Sequence, residues 1–230
     1  MLDDLHLMRL HIQALFTCDA QGRLLGINEP DPTTAPPPCL FLGRTPGGNF
    51  WRFSADLPEE LVSELDELCG EEPPLGLDPQ EPPIHAERYL RLLAGQVEAG
   101  PAYRFPDRFT ADEVAVAVTQ ANSGCLSGGF EQLVEELTTW QPFVAILRDG
   151  VAASVCRSAR ITSEAHEAGI ETLPEFRGQG FAKGAAVGWA NAVLALGALP
   201  LYSTSWSNQA SQAVARKLGL ELYGVDFHIS

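Results

Sequence analysis

The sequence predicts a mixed α/β (α+β) fold, and three local patterns carry that prediction. Two apolar runs, Pro142–Arg148 and Val151–Arg157, flank Asp149-Gly150, a two-residue hairpin signal. A strand pattern over Ala165–Leu173 runs into a Gly-rich turn at Arg177–Ala182 and then into an Ala-rich helical stretch. Ala210, Val214 and Leu218 recur at helical spacing after Asn208 and stop at Gly219.

Taken in order, residues 12–18 and 23–27 read as short strands around the turn Asp19-Ala20-Gln21-Gly22. Residues 29–38 form a Pro-rich loop. Cys39–Leu42 and Phe50–Phe53 read as a strand pair around Pro46–Asn49. Asp56 suits a helix N-cap, with a helix over Pro58–Leu68 that shows Leu61, Leu65 and Leu68 on one face. Residues 70–83 are rich in Glu, Pro and Gly and read as a linker. A short helix over Ala86–Leu93 and a turn at Gly100-Pro101 follow. Val114, Val116 and Val118 alternate as in a half-buried strand, and Phe130, Leu133, Val134 and Leu137 have helical spacing. After the hairpin come a strand at Ala165–Leu173, a helix at Phe181–Leu196, a strand at Leu201–Trp206, a helix at Asn208–Leu218 and a strand at Gly224–Ile229. The expected organisation is an N-terminal α+β subdomain of unassigned role at residues 1–105 and a second domain at residues 106–230.

The 230 residues carry a formal net charge of −15 and are 45% hydrophobic, enough for a sizeable core. Such acidity repels phosphate and argues against a nucleic-acid partner. It serves solubility, or steers a cationic amine. Cys18, Cys39, Cys69, Cys125 and Cys156 are odd in number and far apart, which argues against a disulfide framework. Neither they nor the five histidines have metal-ligand spacing, so no metal is expected. The cysteines read as small buried hydrophobes. Asp3 and Asp4 stand where a signal peptide has basic residues, and no segment has the length and apolarity of a membrane span. A cytoplasmic protein with no membrane partner is the expectation.

The Gly-rich turn is the one segment with clear chemistry. A strand ends at Pro174, the loop contains Arg177, Gly178 and Gly180, and a helix begins at once. Backbone N–H groups at a helix start have no intrahelical partner, and the helix dipole adds positive charge there. Glycines let a backbone approach a diphosphate closely. Arg177 and Lys183 add side-chain charge. The turn is not a P-loop, since no Lys-Ser/Thr pair follows Gly180. It is not a dinucleotide fingerprint, because Lys183 occupies the third glycine position.

The segment from Glu171 to Ala182 closely resembles the acyl-CoA signature of the Gcn5-related N-acetyltransferases, Arg/Gln-x-x-Gly-x-Gly/Ala, met by Arg177, Gly180 and Ala182. A second segment, Asn208-Gln209-Ala210-Ser211 through Lys217-Leu218-Gly219-Leu220, resembles that family's Asn-x-x-Ser…Lys-Leu-Gly helix. The resemblance spans residues 142–230 and extends back towards residue 112. It implies a mixed, mostly antiparallel sheet, splayed between the strand at Ala165–Leu173 and the strand at Leu201 and flanked by helices. Acetyl-CoA, the co-substrate, would lie in the split. Backbone groups of Thr172 and Leu173 would pair with its pantetheine arm. Arg177, Gly178, Gln179, Gly180, Phe181 and Ala182 would hold the pyrophosphate, with Lys183 beside them. Asn208 and Ser211 would line the thiol side, while Asn208 equally suits a plain N-cap.

The implied reaction is acetyl transfer to a primary amine of a small molecule or peptide, by direct attack in a ternary complex. It needs a base for the ammonium proton and a proton for the leaving thiolate. Glu171 is the first candidate base because it lies nearest the expected thioester, followed by Glu167 and His166. Many family members carry a tyrosine where this chain has Ala215, so the acid is open among Tyr202, Ser205, Tyr223 and water, or the thiolate leaves unprotonated. The competing function is a weakly active or inactive CoA-binding regulatory or scaffolding protein, and a protein acetyltransferase is a third. The first half is open between capping the acceptor side, extending the core and forming a homodimer contact. Trp51, Arg52 and Phe53 are candidates to line a pocket there.

Overall fold

A computed structural model describes residues 2–30 and 36–230. The Pro-rich loop expected at 29–38 lies partly outside the described residues.

The chain opens with a helix, α1 (Asp4–Leu15), where short-strand pattern was expected from residue 12. The Asp3 side chain caps it by accepting from the His6 N–H, and Leu7, Met8, Leu10, His11, Ile12 and Ala14 are buried. That burial spans two adjacent faces, which blurs the helical period and explains the misreading. Strands β1 (Phe16–Cys18) and β2 (Leu24–Ile27) pair as a small hairpin, followed by β3 (Leu40–Thr45) and β4 (Gly48–Phe53). Helix α2 (Glu59–Glu71) has Pro58 at its N-cap rather than the expected Asp56, and no side chain caps it. Helix α3 (Ala86–Leu93) falls where expected.

Residues Gly100-Pro101 are not a turn but the middle of β5 (Val97–Arg104). Pro101 lies just past the last pair between β5 and β10 (Leu199–Ser203), Ser203↔Ala102, so its missing N–H costs that ladder nothing. Thr204 N–H still donates to the Pro101 carbonyl at 3.3 Å. Strand β6 is only Val116–Ala117, with Val114 exposed, and the Phe130–Leu137 stretch forms short tight turns rather than one helix. Strands β7 (Phe143–Arg148) and β8 (Val151–Ile161) form the expected hairpin, with Asp149 and Gly150 at φ 51° and 83°. Then come β9 (Ala165–Thr172), α4 (Phe181–Ala195), β10, α5 (Gln209–Leu218) and β11 (Glu221–Ile229). Leu196, expected as the last residue of that helix, lies past the end of α4 and is exposed.

Nine strands form one mixed sheet in the order β4-β3-β11-β5-β10-β9-β8-β7-β6. Strand β5, from the first 105 residues, lies between β10 and β11. Every pairing is antiparallel except β9 with β10. Helix α1 packs on one face with Phe41, Leu201 and Tyr223. On the other face α4 covers Val144, Ile146, Cys156, Ala168 and Ile170, while Tyr89 of α3 and Leu65 of α2 pack on Leu42, Phe227 and Ile229. Trp51, Arg52 and Phe53 sit on the far edge strand: Phe53 packs on α2, the Trp51 indole donates to Asp66, and the Arg52 guanidinium lies over the Phe50 ring. All five cysteines are free; Cys69 and Cys156 are buried, whereas Cys18 is exposed. Among the described residues no helix is long and apolar enough to cross a membrane.

Candidate functional site

Strands β9 and β10 run parallel and pair only at Leu199↔Ala165, Pro200↔His166 and Leu201↔Glu167. Beyond Glu167 they separate. Residues Ala168–Thr172 stay paired to β8 on one side, while their other edge faces an open cleft. The cleft has a volume of about 780 Å³ and is walled by the end of β9, the loop 173–180, the start of α4, the end of β10 and one side of α5. It lies between the two strands where the family resemblance implies a split.

The loop has the backbone geometry that suits an anion at the head of this cleft. Gly178 and Gly180 have φ of 79° and 90°, a region that L side chains rarely occupy, and an added Cβ at either would point into open space. Gly180 is the N-cap of α4, so no side chain caps that end, and the first turn carries no acidic residue. The first N–H groups of α4 are left for a ligand, with the dipole of a 15-residue helix behind them. Lys183 lines the cleft.

The other sequence-predicted residues divide by role. Thr172 and Leu173 line the cleft, and Thr172 Oγ1 pairs with Ser154 Oγ at 2.8 Å. The Leu173 N–H donates to Ala153 O at 3.1 Å and its carbonyl accepts from the Phe176 N–H at 3.0 Å, so the Leu173 backbone is engaged by β8 and the loop rather than left for the pantetheine pairing expected of it. Arg177 Nε donates to the Thr172 carbonyl at 3.3 Å. Gln179 donates back to the Glu175 carbonyl at 3.0 Å and stiffens the loop. The Phe181 ring is buried in the core beneath the Arg148 guanidinium, so only its backbone is placed for a ligand. Ala182 lines the wall. Asn208 caps α5 by accepting from the Ser211 N–H at 3.0 Å, while also lining the cleft. Ser211 Oγ pairs with the Tyr202 hydroxyl, which reaches across from β10.

Alternation along β9 puts Glu167 and Glu171 on the α1 face and His166, Ala168 and Ile170 on the α4 face. Glu171 lines the cleft, half exposed, with its carboxylate paired to Arg157 of β8. His166 is committed elsewhere: its Nδ1 meets Ser158 Oγ at 2.8 Å, and that oxygen also accepts from the Trp189 indole at 3.0 Å. Burial holds the His166 pKa below its ordinary value. Glu167 is buried at the last paired position of the splay, where its Oε2 accepts from Ser203 Oγ at 3.2 Å and its Oε1 accepts from His11 Nδ1 at 2.6 Å. His11 Nε2 lies 3.2 Å from Asp226 Oδ2 on β11. Burial alone would lower the His11 pKa, but the charges of Glu167 and Asp226 and their hydrogen bonds outweigh it and raise the value to about 10. This triplet was not read from the sequence. The one signal pointing to it is the spacing of Leu7, Leu10, His11 and Ala14 after Asp3, which describes a helix and thereby buries His11.

Of the candidate acids, Tyr202 lines the cleft, and burial pushes its pKa up to about 12. The Tyr223 hydroxyl is buried and unpartnered among the described residues, and burial holds its pKa well above the ordinary value. Ser205 faces a second cavity instead. Ala215 is buried in the α5 packing. Among the described residues no group of three His, Cys, Asp or Glu side chains is arranged to hold a metal ion.

Residues 142–224 match the family model of the GNAT acetyltransferases. No curated protein matches the chain. Solved structures that show similarity to this chain include a GNAT-family protein from Novosphingobium aromaticivorans, at 18% identity and TM-score 0.43, with 58% of this chain and 64% of that one covered. A GNAT-family acetyltransferase from Colwellia psychrerythraea matches at 15% identity and TM-score 0.44, covering 62% of each chain. A GCN5-related N-acetyltransferase-like protein from Streptococcus suis matches at 17% identity and TM-score 0.48, covering 84% and 85%. The chain thus spans less than two thirds of the length of the first two.

Proposed function

We propose that this chain, whose residues 142–224 match the GNAT acetyltransferase family model, transfers an acetyl group from acetyl-CoA to a primary amine in a ternary complex. The observation that carries this reading is the coincidence of an open strand edge at Ala168–Thr172 with the uncapped N-terminus of α4 at the head of one cleft. The edge offers backbone groups to the amides of a pantetheine arm, as one strand does to another. The helix start and Lys183 suit a pyrophosphate.

Chemically, the acceptor ammonium must lose one proton before its nitrogen can attack the thioester carbon. The C–N bond then forms, the C–S bond breaks, the nitrogen sheds its second surplus proton to solvent, and the departing thiolate takes a proton, so that one proton is released net. We assign the first proton to Glu171, acting directly or through water. Glu167 is the second reading for that role, favoured by its hydrogen bond to Ser203 at the point where the strands part. Tyr202 is the proton donor we assign to the thiolate. Burial keeps its hydroxyl protonated at neutral pH, and it sits on the cleft wall against Ser211. Tyr202 thus stands in for the tyrosine that the family resemblance leads one to expect where Ala215 lies.

Titration calorimetry with acetyl-CoA and a thiol-release assay test the proposal together. Micromolar binding with amine-dependent thiol release is expected. Binding without release from any amine would favour the CoA-binding scaffold, and absence of binding would remove the cleft assignment altogether.

A further inference from the structure

A second cavity of about 310 Å³ lies across the end of β10 from the cleft. The two share Ser203 and Thr204, so the end of β10 is their common wall. This cavity lies on the α1 face and is built largely from the half of the chain that carries no motif: Leu15, Phe16, Ile27 and Glu98, with Asp226 and His228 of β11. Its thin wall depends on Gly100. A Cβ there would stand 1.7 Å from the Thr204 carbonyl oxygen and 2.8 Å from Ser205 Cα, so only glycine lets the tail of β10 lie this close to β5.

Among the described residues, the charges around the cavity do not balance. Asp226, nine-tenths buried, lines it and is one end of the Glu167–His11–Asp226 triplet, which carries one net negative charge when His11 is protonated. Glu98 adds a second carboxylate, accepting from His228 at 3.1 Å. Among the described residues Arg160 is the one guanidinium in the wall and is already matched by Glu29 at 2.7 Å, and the His228 imidazole is already engaged by Glu98. A partly enclosed site with excess negative charge favours a cation. Its volume is at the lower end of small-molecule pockets, roughly 300–1,000 Å³.

We propose that this cavity is the acceptor site and that the acceptor is a small primary amine bound as its ammonium cation, held by Asp226 and Glu98. This rests on the acetyl-transfer reading. An amine seated there reaches the cleft past Ser203 and Thr204, beside Glu167, and meets the thioester from the side opposite α4. On this account the first half of the chain selects the substrate.

The test uses the full chain, acetyl-CoA and a panel of straight-chain alkylamines, α,ω-diamines and α-amino acids, with a lysine-containing peptide as the contrasting acceptor. At least one small amine should support thiol release. Glu98→Gln and Ser205→Leu should each raise its KM about tenfold or more, with acetyl-CoA affinity unchanged by calorimetry. Asp226→Asn should do the same if it folds; Glu98 is an exposed side chain, so its variant decides the matter in either case. KM values within twofold of wild type in both Glu98→Gln and Ser205→Leu, or release with the peptide alone, would overturn the acceptor site while leaving the cofactor cleft intact. Acetyl-CoA binding with no release from any amine also overturns it. Failure of acetyl-CoA to bind strikes the parent reading, and the acceptor site falls with it.

Discussion

His11 on α1 donates from Nδ1 to Glu167 Oε1 at 2.6 Å, joining the first helix of the chain to the strand that ends at the cleft. The pair is almost fully buried, and Asp226 closes it from the opposite ring nitrogen. A buried cation between two carboxylates ties the motif-free half of the sequence to the half that matches the GNAT family model.

Removing that cation leaves two buried carboxylates facing each other. His11→Ala is expected to destabilise the fold by about 3–5 kcal/mol, the range for stripping one partner from a buried charge pair. Urea denaturation checks this, and a loss under about 1 kcal/mol would mean that the triplet is not ionised as described.

The same group makes stability depend on pH. Its folded pKa, about 10, lies above the ordinary value of 6.5, so the folded state holds the proton more tightly than the unfolded one. The stabilisation is complete below about 6.5 and is lost as pH rises towards 10. Melting temperatures of wild type and His11→Ala should therefore converge between pH 6.5 and 10. Parallel curves over that range would contradict the assignment.

Gly180→Trp is expected to weaken acetyl-CoA binding more than a hundredfold. The indole would fill the space above the loop from which backbone N–H groups reach a ligand, and φ 90° is unfavourable to any L side chain by roughly 1–2 kcal/mol. Calorimetry on the folded variant reads the effect, and normal binding would show the site to be elsewhere.

Glu171→Gln should lower turnover at neutral pH by about a hundredfold, as for loss of a general base, with acetyl-CoA affinity unchanged. Its ion pair with Arg157 is half exposed, so stability should move by no more than about 1 kcal/mol. If turnover is unchanged in Glu171→Gln but falls in Glu167→Gln, the proton belongs to Glu167.

Tyr202→Phe keeps the ring and removes the hydroxyl that meets Ser211. Turnover should fall by about a hundredfold at neutral pH. Thiols of lower pKa leave without protonation, so the penalty should shrink with an acyl donor carrying such a thiol. An equal loss with both donors would assign Tyr202 to positioning alone.

By itself the sequence determined the splayed half: the hairpin at Asp149-Gly150, β9, the Gly-rich turn, α4 and the capped α5. Their signals are local, since positive φ at Gly150 and Gly180, the Asn208 cap and the stop at Gly219 each act within a few residues. Tertiary structure decided the rest. Gly100-Pro101 looks like a turn until β10 and β11 flank it, and only their approach shows why a glycine is needed there. His11, Glu167 and Asp226 are separated by 156 and 215 positions from His11 and match no spacing rule. Charge pairing across such distances is set by how strands order in a sheet and which face a helix covers, and periodicity along the chain carries no record of either.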